Sequence, residues 1–245
     1  MENSPLKTIV FRIDFNPPFK TFNQGGLSQD VLLIIKEEFP LIEPQQNIAT
    51  EFRISPQGFN KQESTKNQIT FFSPDRLNRL VVNEDSIIFS YNRYVHFSHL
   101  ETTWGRIINA LYDRHQSELN ANRIGLRYVN QIEKGSEDVF NWDKIIKPEM
   151  SCMFNIFEQK SNFLRSIGLS EIRIEEGILR MQYGMHNPDY PALIAKKIFL
   201  LDFDASFNGI MDRDDILRKI PYFHSEIEKA FINSITTEYK EAIYG

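Results

Sequence analysis

Apolar and polar residues alternate along several stretches of the chain, and each such stretch reads as a strand with one face turned to a core. In residues 8–15, Phe11, Ile13 and Phe15 share a face, with Arg12 and Asp14 opposite. Asn16-Pro17-Pro18 ends that strand, since proline removes a ladder donor and restricts the residue before it. In residues 123–132, Ile124, Leu126, Tyr128 and Ile132 point one way, and Gly125, Arg127, Val129 and Gln131 the other. Residues 171–174 and 178–183 pair around Glu175-Glu176-Gly177, a hairpin signal, and 197–207 is a strand that starts as a continuous apolar run.

Elsewhere the period is helical. Val31, Leu32, Ile35 and Phe39 predict a helix over 28–39, and Trp104, Ile107, Ile108, Leu111 and Tyr112 predict one over 101–119. Ile216, Ile220, Phe223, Ile227, Phe231 and Ile235 make a third stripe, with Asp212, Asp214 and Asp215 at its positive end. Pro221 predicts a break or kink there, the break giving a short helix followed by a longer one. Strands are predicted at 51–54, 68–72, 79–83, 86–91 and 151–159, and the polar stretch 56–67 reads as a mobile loop. Residues 138–147 read as a short helix or loop, and 187–191 as a loop.

These elements make an α+β protein: a mostly antiparallel sheet, curved or in two sub-sheets, with long helices on one face. Two halves, 1–135 and 136–245, each run strands and then a long helix, the order a duplicated unit would show, and pack as one globular whole.

Composition narrows the functional classes. The 20 phenylalanines among 245 residues predict an aromatic core. A net charge of −5, with no basic stripe, gives no indication of nucleic-acid binding. A single cysteine, Cys152, excludes an intrachain disulfide, and its apolar neighbours Met153 and Phe154 suit an inert thiol. No signal segment and no run of roughly 20 apolar residues is present, so the expectation is a cytoplasmic protein without a membrane partner.

Candidate chemistry is sparse. His96 and His99 have a chelating spacing, but two further ligands are missing, and capping or exposed histidines account for them; no metal and no cofactor is expected. Asp202 and Asp204 lie two apart on a strand and share a face, a pair suited to Mg²⁺, whereas charges mixed across neighbouring strands explain the same pattern as cross-strand pairs. Arg127 beside Gly125 is the candidate binding position on the sheet, since glycine lets a backbone or partner approach; a structural arginine paired to a carboxylate is the alternative. Tyr91 and Arg93, with Tyr94, Phe97 and Trp104, form a candidate stacking surface or part of the core. Asn130 suits satisfaction of a buried backbone group.

The stretch Ile124-Gly125-Leu126-Arg127-Tyr128-Val129-Asn130 resembles the signature strand of a sporadically distributed bacterial family of uncharacterised proteins of about this length. Ser73-Pro74-Asp75, the 79–91 hairpin, Leu201-Asp202-Phe203-Asp204 and the tail from Phe231 are similar in order. The resemblance implies mobile genes, such as phage-defence cassettes or toxin–antitoxin pairs, and no catalytic residues. The leading expectation is therefore a non-enzymatic component that binds a protein partner, encoded by a neighbouring gene. The alternative is a metal-dependent nuclease or related hydrolase using Asp202 and Asp204, and a third is a small-ligand sensor.

Overall fold

The computed structural model describes residues 4–19, 22, 26–55, 58–94, 96–115, 118–135 and 138–244, with the side chains of 45–55, 58–66 and 155 left out of the description. Nine strands form an open antiparallel sheet, and five α-helices accompany it among the described residues, so the chain is α+β. The strands are β1 (Leu6–Phe15), β2 (Leu41–Ser55), β3 (Gly58–Phe72), β4 (Asn78–Asn83), β5 (Ser86–Tyr91), β6 (Ala121–Lys134), β7 (Ser166–Ile174), β8 (Gly177–Met185) and β9 (Lys197–Met211). The helices are α1 (Gln29–Glu38), α2 (Phe97–His115), α3 (Pro148–Ser151), α4 (Arg213–Ser234) and α5 (Thr237–Tyr244).

The sheet order is β2-β3-β4-β5-β1-β6-β9-β8-β7. Hydrogen bonds from the Gln131 amide to the Pro5 carbonyl and from Asn16 to Asn120 bracket β1 against β6 and run them antiparallel. Strand β1 thus lies between β5 and β6, which α2 connects.

Alternation fixes which faces are buried. Ile9, Phe11, Ile13 and Phe15 of β1 are buried, as are Ile124, Leu126, Tyr128, Asn130 and Ile132 of β6. Arg127 is the exposed position of β6 between two buried ones.

Packing divides the chain into two units. Unit one comprises residues 1–10, 125–207 and 218–245; unit two comprises 11–124 and 208–217. The divisions fall inside β1, β6, β9 and α4.

Unit two is built on aromatic stacking. The Phe11 ring stacks on Trp104 at 4.7 Å, Phe89 lies 6.0 Å from the same indole, and Tyr91 meets it edge-on at 6.0 Å. Helix α2 begins at Phe97, earlier than the periodicity predicts, because the His96 ring Nδ1 accepts the His99 amide at 3.2 Å and so satisfies a free N–H of the first turn. Helices α1 and α2 are joined by ion pairs of Asp30 with Arg114 and Glu37 with Arg106, and by a hydrogen bond between Glu38 and the His99 ring.

Unit one pairs β7 with β8 in register from Ser166↔Met185 to Ile174↔Gly177, leaving Glu175 and Glu176 as a two-residue connection. The Glu176 carboxylate accepts from the buried Lys219 ammonium of α4 at 2.7 Å and also pairs with Arg218. Those partners, Lys219 foremost, hold its carboxyl below the ordinary range.

Three expectations are corrected. The polar stretch 56–67 is strand from Gly58 onward, because β3 pairs residue for residue with a long β2 (Leu41↔Phe72 to Ser55↔Gly58); backbone ladders need no hydrophobic face. Residues 56–57 of that predicted loop, and Gly25 ahead of α1, lie outside the described residues. Residues 151–159 are not a strand: α3 runs into a 3₁₀ turn over Cys152–Asn155, and Cys152 is exposed rather than enclosed by its apolar neighbours. Helix α4 continues through Pro221 without a break, and a short helix, α5, follows the long one.

Candidate functional site

The sheet-face candidate centres on Arg127. Its Nε donates to Asp202 Oδ1 at 2.8 Å and its Nη2 to Oδ2 at 2.6 Å, a bidentate pair. The Arg127 side chain is 49% exposed and that of Asp202 only 7%. The hydrogen bonds to Asp202, aided by the charge of Asp204, raise the guanidinium's pKa above its ordinary value despite partial burial. Asp202 lies opposite Gln182 on β8, and Asp204 lies opposite Arg180, which in turn faces Glu171 on β7. This end of the sheet therefore carries a row of alternating charge, Glu171, Arg180 and Asp204. Both Asp202 oxygens are engaged by the arginine, and among the described residues no group of three or more metal-ligating side chains is assembled. Asn130 donates to the Leu201 carbonyl at 3.2 Å, which answers a buried backbone acceptor.

The other sequence candidates separate. Gly125 sits with Arg127 in unit one, and its position is buried; Tyr91 and Arg93 belong to unit two. Tyr91 is 1% exposed, so its place on a stacking surface is corrected: alternation with Phe89 puts it in the core. Burial drives its phenol pKa up. Arg93 is exposed and pairs with Asp75 at 3.3 Å, and Phe97 packs edge-on against Trp104 at 6.3 Å. His96 is committed to Ser98 and the His99 amide, and His99 to Glu38.

A second candidate was not visible in the alternation. An open groove of about 770 Å³ in unit one is lined by Ile156, Phe157, Phe163, Leu164, Arg165 and Tyr190, among others. Its walls are the connection from α3 to β7 and the loop from β8 to β9. Asn187 fastens the two: its buried amide donates to Leu164 O at 2.9 Å and to Ala192 O at 2.7 Å, and the Ile194 amide donates to Phe163 O. Arg165 lies over the Tyr190 ring at 4.5 Å, a cation–π contact. Ile156 is 63% exposed, Phe157 57% and Tyr190 51%, so large apolar surface stays in water around the groove. That is the exception that informs, since an exposed contiguous apolar patch marks an interaction surface more often than a lone leucine does. The only sequence signal is two apolar clusters, Ile156-Phe157 and Phe163-Leu164, separated by five polar residues with neither helical nor strand period.

No helix among the described residues is long and apolar enough to cross a membrane. Neither a family model nor a curated protein matches this chain.

Proposed function

We propose that this chain is a non-enzymatic protein-binding component whose groove at Phe157 and Tyr190 receives an apolar anchor from a partner protein. The observation that carries the reading is the exposed apolar wall of that groove, with Ile156, Phe157 and Tyr190 each more than half in water. Aromatic residues and arginine are the residue types that concentrate binding energy when a partner closes over them, and Tyr190 with Arg165 supplies that pairing at one rim. The Arg127–Asp202 pair contributes rigidity to the sheet in this reading, since both Asp202 oxygens accept from the arginine fork and tie β6 to β9.

The test is co-expression with the product of the adjacent gene, followed by affinity measurement on the purified pair. Phe157→Asp and Tyr190→Ala each weaken the complex by about 30-fold or more, the scale of a hot-spot truncation. A complex of unchanged affinity in both variants, or two proteins that stay separate at high micromolar concentration, overturns the proposal.

A further inference from the structure

Among the described residues strand β7 ends the sheet: β8 covers one of its edges, and the order places no strand on the other. An exposed edge presents a row of free N–H and C=O groups, and sheet proteins blunt it with proline, lysine or a cover. The opposite end of the sheet carries such a device in Pro44 of β2. Strand β7, Ser-Ile-Gly-Leu-Ser-Glu-Ile-Arg-Ile, carries neither proline nor lysine. Ile167, Leu169 and Ile172 are all exposed on it. At Gly168 the Tyr183 ring of β8 lies so close that a Cβ there would meet it.

The two-residue connection at Glu175-Glu176 makes Ile174 and Gly177 a hydrogen-bonded pair. With a period of two, Ile172 and Ser170 then also bond to β8, while Leu169, Glu171 and Arg173 turn their backbone groups outward. Two of those three outward positions carry opposite charges, and neither Glu171 nor Arg173 has an ion-pair partner among the described residues.

We infer that β7 pairs antiparallel with β7 of a second copy of this chain, on a two-fold axis through Ile172, so that the sheet continues from one copy into the other. In that register Glu171 lies opposite Arg173 of the second copy and Arg173 opposite its Glu171, both as hydrogen-bonded backbone pairs, while the two Ile172 side chains meet at the axis. The strand is therefore self-complementary in charge, as a two-fold interface requires. A shift of two residues in either direction loses both ion pairs, which sets the register. The surface is distinct from the groove residues, so this inference and the proposed function stand or fall separately.

Sedimentation velocity over a concentration series tests it, with circular dichroism reporting the fold of each variant. The wild-type chain shows a concentration-dependent dimer. Glu171→Arg alone, or Arg173→Glu alone, places like charges opposite one another twice and weakens self-association by about tenfold or more. The double variant E171R/R173E exchanges both charges and restores it. Glu171→Pro removes an outward donor without touching the β8 ladder and abolishes the dimer. A chain that stays monomeric at every concentration overturns the inference, as does a dimer equally strong in both single reversals.

Discussion

The two aromatic clusters differ in closure, although their chemistry is the same. In unit two, Phe11, Phe89, Tyr91 and Trp104 are all buried, each placed by the two-residue period of a strand or by the helical period of α2. In unit one the cluster is graded: Trp142, Phe199 and Phe154 are buried, Phe163 is half-buried, and Phe157 stands mostly in water. Rings meet edge-on along this series, Trp142 to Phe199 at 5.2 Å and Phe157 to Phe163 at 5.5 Å. A cluster closed on all sides gains its full burial within the chain. One that ends at an open groove leaves apolar surface whose burial only another molecule can complete.

The sharpest way to break this contrast is truncation at each end of the series. Trp104→Ala opens a cavity in a closed core and lowers unfolding free energy by about 3–5 kcal/mol. Phe157→Ala, with most of its ring in water, lowers it by about 0.5 kcal/mol or less, within the range of surface changes. Chemical denaturation of both variants measures the difference. Equal losses would mean that the groove wall is core, and the comparison would fail.

A smaller effect separates structural from binding roles at the sheet face. Arg127→Met leaves the buried Asp202 carboxylate without its bidentate donor. Half of the arginine side chain is in water, so the cost is about 1–3 kcal/mol, below that of a fully buried pair. Because the two groups act together, the double variant R127M/D202N loses less than the sum of Arg127→Met and Asp202→Asn. Additive losses in that cycle would show that each residue answers to some other partner.

How much of this was legible depended on whether a residue's place follows from local period. The faces of β1 and β6, the β7–β8 hairpin and the stripe of α4 follow from alternation or helical spacing alone, since each element has one buried face. The pairing of β2 with β3 does not, because most of the ladder from Gln45 to Ser55 lies opposite polar residues and is held by backbone bonds. Helix α4 tolerates Pro221 because the apolar stripe on either side stays buried: Ile216 and Ile220 before it, Phe223 and Ile227 after it. Of the site candidates, Arg127 and Asp202 were visible singly, and their pairing needed strand order, since 75 residues separate them. The groove depends on Asn187 tying two irregular segments together, and no period in the chain announces a loop clamp.

The mildest test compares one histidine from each unit, the buried His115 and the half-buried His224. Burial, the main cause in both, lowers the pKa of His115 in unit two and of His224 in unit one. His115 packs edge-on to Phe19 at 4.8 Å, and its Nε2 has no hydrogen-bond partner among the described residues. His224 instead shares a 2.9 Å hydrogen bond between its Nδ1 and the Tyr128 hydroxyl. A folded-state pKa below the unfolded value means that the unfolded chain binds the proton more readily. The contribution of each neutral histidine is therefore complete above about pH 6.5 and is lost as pH falls through that value toward the lowered one. Denaturant midpoints between pH 7.5 and 5.5 isolate this effect, because carboxylates titrate mostly below that window. The wild-type midpoint falls across it. His115→Phe, which keeps the ring packing, flattens part of the slope, and His224→Gln flattens another part. A slope untouched by His115→Phe would mean that unit two admits the proton without opening, and its core would then be less closed than the aromatic packing requires.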